Sequence, residues 1–542
     1  MNYKIGAGKG DITYFLKGIG MMGYGQPHNY VLEVGTKLYA RTLVIQDANT
    51  TFVLINLEQA FITMALKDEL IKELSIKHPH WNLTETDILF TAQHTHSAPG
   101  GYSHYPFYNF TVPGFRPELV KRIVQGTIES MEDAYRNLQD SRLDYEEVLA
   151  PENMQISFNR SMKAFLNNPE AEKIQPHENH LAVDRSMKAI KSINNEGKLT
   201  SMFNFYGVHC TSVSSYNHRI HHDNKGVAAE LYESKNPGVI SAFLQAAAGD
   251  VSPHFVWDSK TKLMRGPSKD QYENANFNGE IQYNLSTKLE KKNTIQGKIK
   301  KSLLYIDMEH FACSPAHGKA FFMGAPEGPG IPKWLANTID IYVQYAKERR
   351  LEKDPSSKTF FDLQEPKSVF LDHKTGEFVG VPYHTYLKFP PIPDPSVRQF
   401  MKEAKSGALE TKPWAPRYIP LQLVQLGNLL IIGVPGEITY ISGERLKKIM
   451  KDKFAEEGVE EFILVSYSNA FMGYITTKEE YQMQCYEGGH TIYGHKTLEA
   501  ILNGFSFLAD NLKKEASSFI EGLYPKNPFS YPAEELRKRT VI

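Results

Sequence analysis

The amino-acid sequence predicts an α/β fold with a mixed β-sheet core, flanking helices and long loops over an active face. Short runs rich in Val, Ile, Leu and Phe have the length and composition of buried strands. They are residues 52–57, 87–91, 239–244, 429–434 and 462–465. Between such runs, apolar side chains recur at helical spacing, most clearly over residues 117–138. Alternation of the two patterns is typical of α/β proteins.

A predicted hairpin makes the sheet mixed rather than purely parallel. The apolar residues of segment 421–426 are followed by Gly427-Asn428 and then by the strand 429–434. A two-residue turn of this type joins antiparallel neighbours. We therefore expect parallel and antiparallel pairs in one core.

Two polar or proline-rich stretches interrupt this pattern, residues 258–301 and 347–416. The second includes the run Phe-Pro-Pro-Ile-Pro-Asp-Pro at 389–395. Stretches of this length without a clear period are predicted to be insertions or long ordered loops, which in α/β proteins commonly surround a site.

Composition limits the classes of partner. The chain has 542 residues, and 41% of them are hydrophobic, which is enough for a large core. Its 61 Lys and Arg residues balance 62 Asp and Glu residues, so the formal net charge is -1. Because no broad positive field exists, we expect no nucleic-acid partner, and any partner must be recognised locally. The oligomeric state stays open.

The sequence predicts no transmembrane segment, since its longest strongly apolar runs, such as residues 429–434, are far shorter than the roughly 18 to 20 residues needed to span a bilayer. The N-terminus lacks a basic region followed by an apolar stretch, as a secretory leader would have. Three cysteines leave one unpaired, which fits a reducing compartment. We expect a cytoplasmic protein, or a secreted one if a leader has been removed.

The sharpest local motif is Gln93-His94-Thr95-His96-Ser97-Ala98-Pro99-Gly100-Gly101, directly after a predicted strand. Its two histidines would share one strand face. Both could bind one metal ion, or one could bind while the other handles protons. The alternative is a plain pair of polar histidines at a strand end.

Three further strand ends carry reactive groups. His209 ends an apolar segment that begins at Met202, Ser252 follows the strand 239–244, and Glu437 follows the strand 429–434. Each has a structural interpretation by itself: a core histidine, a turn serine without the Gly-x-Ser-x-Gly pattern, and a helix cap. Taken together, they indicate a site at the carboxyl edge of the sheet.

At these residues the sequence resembles the neutral ceramidases, from about Gly6 to about Leu508. The motifs that carry the resemblance are Met22-Gly-Tyr-Gly25, His94 to Tyr102, Asn159-Arg160-Ser161, Asp223-Asn-Lys-Gly226, Gly249-Asp-Val-Ser-Pro253, Pro435-Gly-Glu437, and the segment from Tyr474 to Gly494. Ala98, Cys210 and Cys485 depart from the family pattern, but none of them is a proposed ligand.

The resemblance implies a Zn²⁺ site at the strand ends, with His94, His209, Glu437 and Tyr474 as ligands. Spacing alone does not point to Tyr474. The resemblance also makes His96 a hydrogen-bonding or proton-handling group rather than a ligand.

The resemblance implies catalytic roles for Ser252, His96, Arg160 and Tyr486. Zinc would polarise the amide carbonyl or activate water. Arg160 would contact the reacting groups and, with Tyr486, stabilise the developing negative charge. His96 would protonate the leaving amine. Whether zinc-bound water or Ser252 attacks first stays open.

We therefore expect a catalytic domain at residues 1–510 that cleaves ceramide to a fatty acid and a sphingoid base, and a tail at 511–542 in place of the family's C-terminal immunoglobulin-like domain. Transient contact with a membrane surface is compatible with such a substrate. Residues 102–110 and 321–332 are expected to wall a deep acyl cleft. The alternatives are an amidase for another N-acyl lipid or N-acyl amine, and a non-catalytic lipid-binding relative.

Overall fold

The structure, a computed structural model, describes residues 3–112, 114–388, 395–514, 517–519 and 531–541. Most of the proline-rich run at 389–395 lies outside these residues. The described α-helices are α1 (Met64–Lys77), α2 (Pro117–Arg136), α3 (Met162–Phe165), α4 (Asp223–Lys235), α5 (Gln271–Ser286), α6 (Met308–Phe311), α7 (Lys319–Phe322), α8 (Lys333–Lys353), α9 (Lys358–Gln364), α10 (Pro395–Ser406), α11 (Tyr440–Lys453), α12 (Lys478–Gln482), α13 (Tyr486–His490), α14 (Thr497–Lys514) and α15 (Ala533–Arg539).

The larger of two main sheets has nine strands in the described part of the chain. They are β1 (Tyr3–Asp11), β2 (Tyr39–Gln46), β3 (Thr51–Leu57), β4 (Ile88–Ala92), β5 (Gln139–Leu149), β6 (Ser186–Asn194), β7 (Leu199–Tyr206), β8 (Ile240–Gln245) and β9 (Lys291–Ile295). The order is β8-β7-β6-β5-β1-β2-β3-β4, and β9 pairs with β5. The pairs β3–β4 and β7–β8 are parallel and the rest are antiparallel.

The second sheet contains β10 (Ile299–Asp307), β11 (Tyr418–Leu426), β12 (Leu429–Gly433), β13 (Glu461–Val465) and β14 (Ser517–Phe519), in the order β13-β12-β11-β10-β14. Leu426 pairs with Leu429 across the Gly427-Asn428 turn, so the predicted hairpin is confirmed. All five predicted strands are present, as β3, β4, β8, β12 and β13. The mixed character is also confirmed, but the strands divide between two sheets.

Short paired strands lie outside the two sheets. They are Met21–Met22 with Ala98–Pro99, Glu33–Val34 with Arg219–Ile220, Phe158–Asn159 with Val251–Ser252, Val256–Asp258 with Leu263–Arg265, Glu437–Ile438 with Tyr474–Ile475, and a group of Ala316–Gly318, Val369–Asp372, Glu377–Phe378 and Val381–Pro382.

The two sheets pack face to face, and helices cover their outer faces. Along β3, Phe52 and Leu54 lie in a core cluster that includes Ile431 of the second sheet. Val53 and Ile55 point the other way, into a cluster formed with α1 and α2. The helices α11 and α14 cover the second sheet. Because both faces of β3 are buried, its sequence is apolar at consecutive positions instead of alternating.

Glycines allow α2 to lie close to β1. A Cβ at Gly8 would lie 2.2 Å from the carbonyl oxygen of Ser130, and one at Gly10 would lie 2.0 Å from that of Gly126. Both distances are shorter than van der Waals contact, so larger residues would push the helix off the sheet.

The polar stretch at 258–301 is an insertion with secondary structure of its own. It contains α5, whose buried side chains include Asn274, Asn278 and Gln282. Their side-chain amides hydrogen bond to Ser268 O, Ile156 O and Asn224 Oδ1 at 2.9, 2.8 and 3.1 Å. Since much of this buried face is polar, apolar periodicity does not reveal the helix.

The described parts of the C-terminal tail pack on the rest of the molecule. The boundary expected at residue 510 falls inside α14, and β14 pairs with β10. Arg539 is 2% exposed and donates hydrogen bonds to Ala408 O and His104 O, each at 2.6 Å. Among the described helices, none has the length and apolar character needed to cross a bilayer.

Candidate metal centre

The loops after β4 and β7 meet because the two edge strands of the first sheet, β4 and β8, contact each other and β7 is the neighbour of β8. His94 lies two residues beyond β4, and His209 three beyond β7. The Gln245 side chain joins the two loops: its Nε2 donates to Gln93 O at 2.9 Å and to Val208 O at 2.6 Å. A parallel bridge between Thr95 and Cys210 adds a second tie.

The second sheet supplies the other two predicted ligands. Glu437 follows β12 and Tyr474 follows β13, and the short strands that begin with them are parallel and pair these two residues directly. The amide of Gly249 donates to Ile438 O at 2.9 Å, which holds this pair against the loop after β8. Strand ends of both sheets therefore contribute to one place.

His94, His209 and Glu437 form a compact buried group. His209 Nε2 lies 3.0 Å from Glu437 Oε2, and His94 Nε2 lies 3.5 Å from the same oxygen. The three ligand atoms are all within 4.8 Å of one another. Their side chains are 1 to 5% exposed. Although burial acts to raise it, the two histidines hold the pKa of the Glu437 carboxyl well below its usual range.

Hydrogen bonds on the far side of each ring orient these histidines for metal binding. His94 Nδ1 lies 2.6 Å from Ala60 O, and His209 Nδ1 lies 2.9 Å from Val251 O. Because a carbonyl only accepts, each Nδ1 carries a hydrogen, so in the neutral form of each ring Nε2 presents a lone pair. Two lone pairs then face a carboxylate, an arrangement that a cation between them stabilises. The group is suited to a metal ion.

Tyr467 belongs to this group and was not predicted. Its hydroxyl donates to Glu437 Oε2 at 3.2 Å, and its ring stacks on His94 with 4.1 Å between centroids. The other residues were found as reactive side chains shortly after a strand end. The same pattern applies to Tyr467, which lies two residues beyond β13. The family motifs did not include it.

Arg160 is directed at Tyr474. Its Nη2 donates to the Tyr474 hydroxyl and to Gly249 O, both at 2.8 Å. Its other donors pair with Glu487 at 2.8 Å and Glu327 at 2.6 Å. Burial raises the pKa of the Tyr474 phenol well above its usual value, and the Arg160 cation opposes that rise. Arg160 thus acts on a proposed ligand through a direct hydrogen bond.

Glu327 and Glu487 are further buried groups that sequence reasoning missed. They hold the guanidinium of Arg160 from two sides, and Glu487 also accepts a hydrogen bond from Ser161 at 2.5 Å. Glu487 directly follows Tyr486 in α13, so that motif contained a signal for it. Glu327 comes from the segment 321–332, where no charged role was expected.

His96 lies beside the group. Its Nε2 is 3.0 Å from His94 Nε2, and the edge of Tyr24 packs against it with 4.6 Å between ring centroids. Its Nδ1 has no hydrogen-bond partner among the described residues. Burial, reinforced by His94 and His209, lowers the pKa of His96 well below its usual value.

Ser252 and Tyr486 are connected to the site through neighbouring groups. Ser252 is 1% exposed and its hydroxyl accepts from the amide of His254 at 3.1 Å; the preceding residue, Val251, anchors His209. The ring of Tyr486 contacts Tyr474 edge-on with 5.6 Å between centroids. The Arg160 guanidinium lies 5.6 Å from the centre of the Tyr486 ring.

The two segments expected to wall a cleft are placed differently. Phe321 stacks on Tyr486, and Glu327 reaches Arg160, so the segment 321–332 covers the site. Tyr102 is fully buried in the core beside Phe61. Tyr102 is therefore a packed core residue, and a deep acyl cleft stays a prediction.

Comparison with known proteins gives consistent matches along the chain. The family model for neutral/alkaline non-lysosomal ceramidase, N-terminal, matches residues 3–389 and 402–503. The neutral ceramidase of Pseudomonas aeruginosa is 29% identical over 521 residues, which cover 94% of this chain and 72% of that protein. Neutral ceramidase A of Dictyostelium discoideum is 28% identical, with 98% of this chain and 76% of that protein covered.

Solved structures match at the level of the fold and the sequence. The crystal structure of the Pseudomonas aeruginosa neutral ceramidase has a TM-score of 0.74 at 25% identity, covering 96% of this chain and 77% of that chain. A ceramidase complexed with C2 has a TM-score of 0.75 at 26% identity, covering 96% and 78%.

Proposed function

The chain belongs to the neutral/alkaline non-lysosomal ceramidase family, and from this premise we propose that it hydrolyses the amide bond of ceramide with zinc as its metal. The products would be a fatty acid and a sphingoid base. One observation carries the proposal: the anchored imidazoles of His94 and His209 turn their Nε2 atoms towards the Glu437 carboxylate. Such a group could hold a metal ion, and it lies where the family motifs converge.

The donor set supports zinc as the ion. Two imidazole nitrogens, one carboxylate and the phenol of Tyr474 would hold it, and zinc binds nitrogen and carboxylate oxygen donors. When bound, the ion supplies a Lewis acid for the amide carbonyl and lowers the pKa of a water molecule. Tyr467 would fix the orientation of the Glu437 carboxylate through its hydrogen bond.

The remaining residues would act on charge and protons. As the acyl carbon becomes tetrahedral, its oxygen gains negative charge, which the Tyr486 hydroxyl would stabilise by donating a hydrogen bond. Arg160 would keep Tyr474 in place and balance its charge. His96, with a free Nδ1 among the described groups, would take a proton and pass it to the leaving nitrogen. The oxygen and hydrogen atoms of water then end in the carboxylic acid and the amine.

Ser252 would act at the same centre in one of two ways. Its buried hydroxyl, one residue from the carbonyl that anchors His209, could attack the acyl carbon or bind a hydroxyl group of the substrate. Metal retention and turnover in Ser252→Ala test its participation in either role.

A substrate panel tests the proposed function. The purified protein should hydrolyse ceramide, lose turnover on chelation and regain it with Zn²⁺. Because each buried methylene contributes about 0.8 kcal/mol, catalytic efficiency should rise several-fold per step of acyl length until the binding site is filled. Equal turnover of acetyl and long-chain substrates would contradict the lipid assignment, and preference for N-acyl amines without a sphingoid base would favour the other amidase. If metal-loaded protein hydrolyses none of them, the lipid-binding alternative gains.

A further inference from the structure

One face of α8 is apolar and exposed. Trp334, Ile341, Tyr342 and Tyr345 are 70, 75, 48 and 53% exposed. Their spacing of seven, eight and eleven residues from Trp334 places them on one side of the helix. The opposite side is held down by the buried Ala336 and Val343. We call these four exposed residues the α8 stripe.

The α8 stripe is uncharged along its whole length. Every exposed residue from Trp334 to Tyr345 is neutral, the polar ones being Asn337, Thr338 and Gln344. The one acid in this stretch, Asp340, is bound by Lys319 at 2.6 Å. Exposed charged side chains begin only beyond both ends, at Lys333 and Glu348.

The stripe is connected directly to the segment that covers the metal centre. That segment, residues 321–332, contains Glu327, whose carboxylate pairs with Arg160, and it ends where α8 begins. On its other side it is bonded to the hairpin of Val256–Asp258 and Leu263–Arg265, since the amide of Met264 donates to Pro326 O at 2.9 Å. The hairpin exposes Trp257, which is 58% accessible. Two exposed tryptophans therefore flank the cover of the site.

We propose that the α8 stripe and Trp257 dock on the surface of a lipid bilayer, and this proposal rests on the proposed function. A substrate with two long hydrocarbon chains resides in a bilayer, so the enzyme must reach it there. Trp and Tyr rings combine an apolar body with a polar tip and concentrate at the headgroup level of membranes. A neutral stripe enters that layer without the cost of burying charge, and Lys333 and Arg349 at its ends can reach back to water and headgroups.

The test is a double variant, Trp334→Ser with Ile341→Ser, compared with Ile76→Ser, an isoleucine that is 64% exposed on α1. Binding is measured by co-sedimentation with phosphatidylcholine vesicles that contain ceramide. Turnover is measured on the same vesicles and on a short-acyl ceramide dissolved as monomers. The double variant should bind vesicles at least about tenfold more weakly, because two apolar side chains no longer leave water.

The double variant should also lose turnover on vesicles in proportion to its weaker vesicle binding, while keeping turnover of the dissolved substrate. Ile76→Ser should match the wild type in vesicle binding, in turnover on vesicles and in turnover of the dissolved substrate. Unchanged vesicle binding in the double variant would overturn the proposal. So would a wild-type dimer that the double variant dissociates, since the stripe would then contact a second copy. If the wild type binds vesicles through the stripe but hydrolyses neither substrate, the proposed function fails and the docking surface stands.

Discussion

Two buried clusters of three histidines each differ in what surrounds their ring nitrogens. In the first cluster, His94, His96 and His209, two Nδ1 atoms face backbone carbonyls and two Nε2 atoms face a carboxylate. The second cluster is His317, His373 and His490. There His317 Nδ1 lies 2.7 Å from His373 Nε2, and both nitrogens of His490 have no partner in the described structure.

The surroundings of the second cluster oppose a metal ion. Its rings pack against Phe107 and Phe321, and Lys367 is buried close by, with Nζ donating to Ala316 O and Thr491 O at 3.0 and 2.7 Å. Burial lowers the pKa of Lys367 to about 7, so part of its population is a cation at neutral pH. Among the described residues, only the first cluster includes a group able to hold a metal. The features that favour a metal ion at the first cluster are its carboxylate and its anchored histidine rings.

The largest expected effect separates the clusters by their metal content. Glu437→Gln keeps the size of the side chain but removes the charge opposite two lone pairs. Bound zinc, measured by elemental analysis after dialysis, should fall far below one per chain, and turnover should drop at least about 1,000-fold because several kcal/mol of transition-state stabilisation are lost. His373→Gln in the second cluster should keep the zinc content and the turnover of the wild type. Full zinc content in Glu437→Gln would contradict the assignment.

The next effect concerns chemistry at the first cluster without loss of its metal. Ser252→Ala should keep zinc and the thermal unfolding midpoint of the wild type, yet lose at least about 100-fold in turnover, the scale observed when one transition-state group is removed. Elemental analysis and initial rates give the two readouts. Loss of zinc would make Ser252 structural, and near-normal turnover would remove it from the catalytic residues.

A smaller effect is expected from the residue that orients the carboxylate. Tyr467→Phe removes the hydroxyl that donates to Glu437 Oε2 and should weaken zinc binding about tenfold, as loss of a ligand's hydrogen-bond partner does. Competition with a chelator measures the affinity. Tyr108→Phe is the matched control, since its buried hydroxyl donates to Phe471 O at 3.4 Å and not to a ligand. Equal affinities in the two variants would mean that Glu437 is positioned without Tyr467.

The last effect is confined to the second cluster and appears only in the pH dependence of stability. Burial lowers the pKa of His373 to about 3, whereas in the unfolded chain it is near 6.5. The unfolded state therefore binds a proton first as pH falls below about 6.5, and the free energy of unfolding decreases by about 1.4 kcal/mol per pH unit from this residue, down to the folded value.

Replacing His373 by Gln keeps a hydrogen-bonding group and removes the titration. Between pH 7 and pH 5, urea unfolding should show that the wild type loses about 2 kcal/mol more stability than His373→Gln. Turnover at pH 7 should be unchanged. Parallel stability profiles would show that His373 is protonated in the folded protein, and the contrast between the two clusters would weaken.

Much of the site could be predicted from the sequence because strand ends are local features. Runs of apolar residues located β4, β7, β8 and β12. His94, His209, Ser252 and Glu437 each follow one of these strands within two to seven residues. Tyr474 came only from the resemblance, because a loop of eight residues separates it from β13 and no period points to it. Helix α5 was not recognised because much of its buried face is polar.

The sequence by itself determined the strands, the hairpin and the reactive group after each strand end. Only the tertiary structure decided that β4 and β8, on opposite edges of one sheet, approach each other, and that a second sheet packs on the first. Tyr467, Glu327 and Glu487 join the site through that arrangement. The reason is physical: periodicity reports which face of an element is buried, whereas a site between two sheets depends on contacts between residues hundreds of positions apart, such as Arg160 and Tyr474.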